Sequence, residues 1–229
     1  MSPQLLAFDV NETLLDMAPL NARIEGVIGP PAGEWLTRTL HGTLVANEIG
    51  VYRPLDWIGV EALIAMAHQR GISISEETAI DVVSTMALLP VKPGVYNALE
   101  KLFDSGFTLI ALTNGSTRTA NAQIEHAGLH VFIQRVISVE EVGVFKPAAE
   151  VYIHAAQTMK TPIKSMMMVA AHDWDCAGAL RTGARAALVR APGAGWRLPL
   201  PPPEVMSGDI ATLAQILVED PSGDRVHIT

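Results

Sequence analysis

Asp9 stands at the end of a short apolar run, residues 5–8, and opens a polar turn, Val10-Asn11-Glu12-Thr13. A carboxylate so placed, backed by loop amides, can attack an electrophilic carbon or phosphorus. Three further polar clusters stand out: Thr113-Asn114-Gly115 after the run 108–112, Lys146-Pro147, and His172-Asp173-Trp174-Asp175 after the run 166–171. Thr113 and Lys146 would supply a hydroxyl and a fixed positive charge. Lys146 would hold Asp9 ionised and offset its repulsion of an anionic substrate. Each cluster has a plainer reading. Lysine is most often a solvated surface residue, Thr13 and Thr113 could be ordinary loop or cap residues, and Tyr152 and Trp174 could be packing aromatics.

These clusters need elements that bring them together. The runs 5–8, 108–112, 131–136, 166–171 and 186–189 read as buried parallel strands: continuous apolar residues followed by a loop. Between them lie helical patterns at 94–105, 117–127, 148–159 and 174–182, several entered after Pro or closed by Gly. Strand alternating with helix implies an α/β fold, a doubly wound, Rossmann-like parallel sheet with helices on both faces. In such sheets the site lies outside the carboxyl ends of the strands, where every cluster named above falls. Residues 16–91 break the alternation. Helices are expected at 34–47, 55–70 and 75–89 with no strand between, Gly71 closing the second and Ser75 capping the third. The chain thus divides into a core, 1–15 and 92–229, and a helical cap, 16–91. Residues 191–203 read as an irregular surface loop, and 220–229 as a frayed tail.

The 229 residues suffice to bury a sizeable core. With 49% apolar and 17% charged residues the composition is that of a soluble globular protein. A net charge of −8 argues against nucleic acid or an anionic membrane as partner. No apolar run approaches the ~18 residues of a membrane span, and no signal peptide is recognisable. The one cysteine, Cys176, forbids an internal disulfide and fits a cytoplasmic location.

The four clusters, in this order, resemble the haloacid dehalogenase superfamily over residues 4–16 and roughly 92–212. The resemblance implies a Rossmann-like core with a helical cap inserted after the first strand and Asp9 as nucleophile. Most members are magnesium-dependent phosphatases with a second Asp two residues after the nucleophile. That position here is Asn11. Their fourth motif supplies an acidic metal ligand where this chain has Ala170-Ala171. Asp175 remains, but with Asp9 alone it makes a poor Mg²⁺ site, since this cation wants several oxygens in octahedral array. No cofactor or metal is therefore expected. A leaving group that needs neither protonation nor metal fits a halide.

The chain thus resembles the (S)-2-haloacid dehalogenase branch, which implies that Asp9 displaces halide from a small 2-haloacid with inversion and that water then cleaves the ester. By the same resemblance Asn114 and Trp174 cradle halide, Arg38 is the halide-facing cation of the cap, Tyr152 and Asn11 contact or support substrate, and a homodimer is the expected assembly. His172 and Glu12 depart from the common branch. They introduce an imidazole and a carboxylate at two strand ends that should be neighbours, and a His–carboxylate pair can activate water. A His172–Glu12 dyad is the reading adopted, with Asp175 orienting the site; the alternative is a loop histidine and a glutamate that caps amides. The runner-up function is a Mg²⁺-dependent phosphatase on the same fold, and a third is a non-catalytic binding protein, against which Asp9, Thr113 and Lys146 speak. Halogen, chain length and fluoroacetate as substrate stay open, as does the direction of Asp173.

Overall fold

The computed structural model describes residues 4–190, 196–220 and 226–227. Seven parallel strands form one sheet, in the order β3-β2-β1-β4-β5-β6-β7. They are β1 (Leu5–Phe8), β2 (Thr108–Thr113), β3 (Ile133–Ser138), β4 (Met166–Ala170), β5 (Arg185–Val189), β6 (Val205–Ser207) and β7 (Val226–His227). The expected doubly wound α/β architecture is observed. The central strands are buried along their whole length, which is why they read as unbroken apolar runs rather than as alternating ones.

Nine α-helices accompany the sheet among the described residues. Four fall within residues 16–91, after β1, with no strand among them: α1 (Ala18–Ile28), α2 (Gly33–Ile49), α3 (Leu55–Gln69) and α4 (Glu76–Ser84), the last continued by a 3₁₀ turn to Leu88. The others are α5 (Val95–Asp104), α6 (Thr117–His126), α7 (Ala149–Thr158), α8 (Asp173–Arg181) and α9 (Ile210–Glu219). The expected cap on α4 is present: the Ser75 hydroxyl accepts from Thr78 N at 3.1 Å, satisfying one of the free amides of the first turn. Gly71, with φ +71°, takes the left-handed conformation that ends α3.

Four elements differ from expectation. α1 was not foreseen, although Pro19 in its first turn is a starting signal. β6 is only three residues long and follows a proline run, and α9 was folded into the core without being named. Val226–His227, within the expected frayed tail, pairs in parallel with β6. Of the expected loop at 191–203, residues 191–195 lie outside the described residues and 196–203 form no helix or strand; the rest of the tail, 221–225 and 228–229, is likewise outside. No helix among the described residues is long and apolar enough to cross a membrane.

Candidate active site

β1 lies between β2 and β4, and its last residue, Phe8, is in register with Ala111 and Val169. Asp9 therefore emerges where three strand ends converge, and its amide donates to Val169 O at 3.0 Å. The chain then turns sharply. Leu14 N and Leu15 N both donate to Val10 O, at 2.9 and 3.0 Å. Glu12 sits at φ +62°, uncommon for a residue with a side chain, and Lys92 Nζ donates to its carbonyl at 2.8 Å. This turn brings Thr13 back beneath Asp9. Its hydroxyl donates to Asp9 Oδ2 at 2.9 Å and accepts from Ala171 N at 2.9 Å.

On one side of Asp9 is a buried polar row. Lys146, 1% exposed, donates to Asp9 Oδ1 at 2.9 Å, Asp175 Oδ2 at 2.6 Å and Leu112 O at 2.9 Å. All three ammonium hydrogens are thereby used. Asp175, in the first turn of α8, accepts on its other oxygen from the Tyr152 hydroxyl at 2.6 Å. Burial works against the Lys146 charge, but Asp175 and Asp9 outweigh it and raise the ammonium above its ordinary value. Burial likewise pushes Asp9 up, yet Lys146 and His172 prevail and hold its carboxyl well below the usual carboxylate range. Burial pushes the Tyr152 phenol well up, so it stays a donor.

On the other side of Asp9, His172 Nδ1 is 3.3 Å from Asp9 Oδ2 and its Nε2 is 2.7 Å from Glu12 Oε2. The pairing of β1 with β4 brings together these residues, 160 positions apart. Trp174 stacks on the imidazole, ring centroids 5.1 Å apart. Burial disfavours the imidazolium, but the bonds and charges of Asp9 and Glu12 win and lift His172 from 6.5 to about 10. Each ring nitrogen thus faces a carboxylate oxygen.

Other expected residues lie elsewhere. Arg38 is exposed and does not line the cavity. α2 turns Leu36, Thr37, Leu40 and His41 toward that space, and Arg38, one residue past Thr37, is roughly 100° further around the helix. The Thr113 hydroxyl accepts from the Gly115 amide at 3.0 Å and makes no hydrogen bond to Asp9. Tyr152 is fully buried and meets Asp175, so it cannot touch a ligand in the cavity. Asn11 accepts from Gln123 of α6 at 2.8 Å. Asn114 accepts from Lys146 N at 2.9 Å, and its Nδ2 is buried without a partner. Asp173 pairs loosely with Arg190, 3.6 Å away.

The cavity above Glu12, Lys146 and His172 measures about 710 Å³, with Met17, Leu36, Leu40 and Leu44 as an apolar wall and His41, Trp174 and Arg190 on its rim. Sequence reasoning missed His41 and Arg190. It also missed Asn47 of α2, which donates to Phe145 O and accepts from Phe145 N, both at 2.9 Å, and Asp56 of α3, which accepts from Ser116 at 2.7 Å and Thr119 at 2.8 Å. Asn47 ties α2 to the loop before α7, and Asp56 ties α3 to the start of α6. Their partners lie 60 to 98 positions away, and no local pattern announces them.

Mg²⁺ does not fit this donor set. The place a cation would take between Asp9 and Asp175 is filled by the Lys146 ammonium, and both Asp175 oxygens are engaged. Asn11 and Ala171 supply no replacement carboxylate, and among the described residues no group of three or more His, Cys, Asp or Glu is placed to hold a metal.

The haloacid dehalogenase-like hydrolase family model matches residues 3–183. The (S)-2-haloacid dehalogenase H-109 of Pseudomonas putida is 29% identical over 183 residues, 78% of this chain and 81% of that protein. The (S)-2-haloacid dehalogenase 2 of Pseudomonas sp. (strain CBS-3) is 27% identical over 185 residues, 78% of this chain and 80% of that protein. Among solved structures, the L-2-haloacid dehalogenase of Xanthobacter autotrophicus with chloropropionic acid covalently bound superposes with a TM-score of 0.87 at 19% identity, covering 95% of this chain and 99% of that one.

Proposed function

The chain belongs to the haloacid dehalogenase-like hydrolases, and within that family we propose that it is a metal-independent dehalogenase converting small (S)-2-haloacids to (R)-2-hydroxy acids through an ester on Asp9. The observation that carries the reading is the single buried ammonium shared by Asp9 and Asp175, at 2.9 and 2.6 Å. It keeps Asp9 an anion and engages the Asp9 and Asp175 oxygens that a bridging cation would need, while Asn11 and Ala171 add no carboxylate. The relatives named above are (S)-2-haloacid dehalogenases, which agrees.

Asp9 Oδ1 has one protein donor, Lys146, whereas Oδ2 has two neighbours, Thr13 and His172. Oδ1 is therefore the attacking oxygen. Its lone pair forms the bond to C2 as the C–X pair leaves with halide, and Oδ2 becomes the ester carbonyl. Holding carboxylate and carbon at near-attack distance is worth ~7–11 kcal/mol. The helices α1–α4 act as a cap over the cavity. Asn114 Nδ2, a buried donor without a partner, and the Trp174 edge receive the halide, while the exposed Arg190 guanidinium that lines the cavity attracts the substrate carboxylate. Asp175 positions Lys146, and Tyr152 positions Asp175. Water then attacks the ester carbon, with the His172–Glu12 pair taking its proton.

Chloride release from the two enantiomers of 2-chloropropionate, with and without EDTA, tests this reading. Release from the (S) enantiomer, unchanged by EDTA, is the expected result. No release from any haloacid, or EDTA-sensitive turnover of p-nitrophenyl phosphate in its place, overturns it.

A further inference from the structure

A base must be free of its proton before it can take one from water, and His172 in the resting protein is not free. Its two nitrogens face two carboxylates, Asp9 at 3.3 Å and Glu12 at 2.7 Å. A neutral imidazole has only one N–H and leaves one of these oxygens facing a lone pair. The imidazolium satisfies both.

The two partners are unequal. The Glu12 side chain is 43% exposed and screened by solvent, while that of Asp9 is 8% exposed. Other groups nearby do not change this balance. Lys146 and Asp175, on the other flank of Asp9, carry opposite charges; Asp173 is matched with Arg190 at 3.6 Å; His41 lines the same cavity.

We infer that the free Asp9 carboxylate locks His172 in its doubly protonated form, and that forming the ester on Asp9 releases the lock, so that the base appears only once the intermediate it must hydrolyse exists. This deepens the dehalogenase reading and rests on it. Alkylation at Oδ1 turns Oδ2, the oxygen that His172 faces, from an anion into a neutral carbonyl. The Nδ1 proton then leaves to solvent, and Nε2 keeps its hydrogen on Glu12. Water adds to the ester carbon and gives one proton to Nδ1. Collapse breaks the bond between the ester carbon and the alkyl oxygen, and the departing alkoxide takes the proton from His172. Asp9, left as an acid, returns its own proton to Nδ1, and the lock is reset. Over one cycle, haloacid and water yield hydroxy acid, halide and one proton, and that proton is shed at the alkylation stage. The order also shields the nucleophile, since a neutral His172 beside a free Asp9 would withdraw one of the charges that keep Asp9 ionised.

The test needs no substrate, so its failure is separable from failure of the dehalogenase reading. The imidazole of His172 is followed by NMR titration in the native protein and in Asp9→Asn, which mimics the neutral ester, with His172→Gln used to assign the signal. In the native protein His172 is expected to stay protonated through pH 8. In Asp9→Asn its midpoint should fall by about one to three pH units, the usual effect of removing one close opposite charge. A native midpoint near that of a free histidine overturns the lock, and this arm stands even if the variant fails to fold. An Asp9→Asn midpoint equal to the native one overturns the release.

Discussion

Raising the pH through the weakly alkaline range should destabilise this protein, and His172 sets the slope. Its folded value is about 10 against an ordinary 6.5. Between those limits the folded chain keeps a proton that the unfolded chain has lost. Stability from this group is therefore complete below about pH 6.5 and declines by about 1.4 kcal/mol per pH unit as pH rises toward 10. The whole window amounts to about 5 kcal/mol, a large part of the 5–15 kcal/mol that holds a typical domain folded. The His172 side chain is 17% exposed, so most of that figure survives solvent screening. Asp9 is depressed and contributes in the opposite sense: its stabilisation is present above about pH 4 and lost only in acid, so it is constant in the alkaline window. Urea unfolding near pH 7 and near pH 8.5 should then show the native protein losing about 2 kcal/mol, a midpoint shift of roughly 1 M for a urea slope near 2 kcal/mol/M. His172→Gln should lose much less over the same interval. Equal pH slopes for the two proteins would refute the double carboxylate clamp on His172.

Two further substitutions probe the separate sides of Asp9. His172→Ala, mixed in excess with 2-chloropropionate, should release chloride once per site and retain the ester on Asp9, visible by intact mass, with hydrolysis slowed by ~10²–10⁴-fold; normal turnover would remove His172 from the reaction. Lys146→Met leaves two buried carboxylates without their shared cation, so it should cost about 3–5 kcal/mol of stability and abolish chloride release, and a thermal midpoint unchanged from the native one would show that the ammonium is not their counter-charge.

What could be read from the sequence follows the range of the interaction involved. β1, β2, β4 and β5 were legible because a strand buried on both faces is apolar at every position. β3 was placed two residues early: Val131 is apolar but lies in a 3₁₀ turn. β6 and β7 are too short to carry a pattern, and α1 has a proline in its first turn and a glycine near its end that obscure its period. In the site, Asp9 could be singled out because it follows a strand, Asp175 because it lies where a helix opens and Lys146 because it precedes Pro147 in the loop before α7, and the contact between His172 and Glu12 followed from the adjacency of two strands. Arg38 failed because facing the cavity depends on the rotation of α2, which Trp35, packed on Gly59 and donating to its carbonyl at 2.8 Å, and Asn47 determine from opposite ends. Thr113 failed because a hydroxyl at a strand end can serve the turn as readily as the site. Asn47 and Asp56 were invisible because nothing local marks a side chain whose partner is a distant backbone or hydroxyl.

The two sides of Asp9 differ in a way that suits the two halves of the proposed reaction. The row Lys146, Asp175, Tyr152 is fully buried, every donor on it has an acceptor, and Gly178 packs so closely that an added Cβ would lie 2.6 Å from the Tyr152 hydroxyl. The Lys146 ammonium cannot lose its proton without leaving two buried carboxylates unpaired, so that side fixes the charge and direction of Asp9. The pair His172 and Glu12 is partly exposed and borders the cavity, where water can enter and a proton can leave. A nucleophile needs invariance, whereas a base needs to exchange. The fold supplies both by placing Asp9 on the middle one of three adjacent strands, with the Lys146 row to one flank and the His172 loop, carried on β4, to the other.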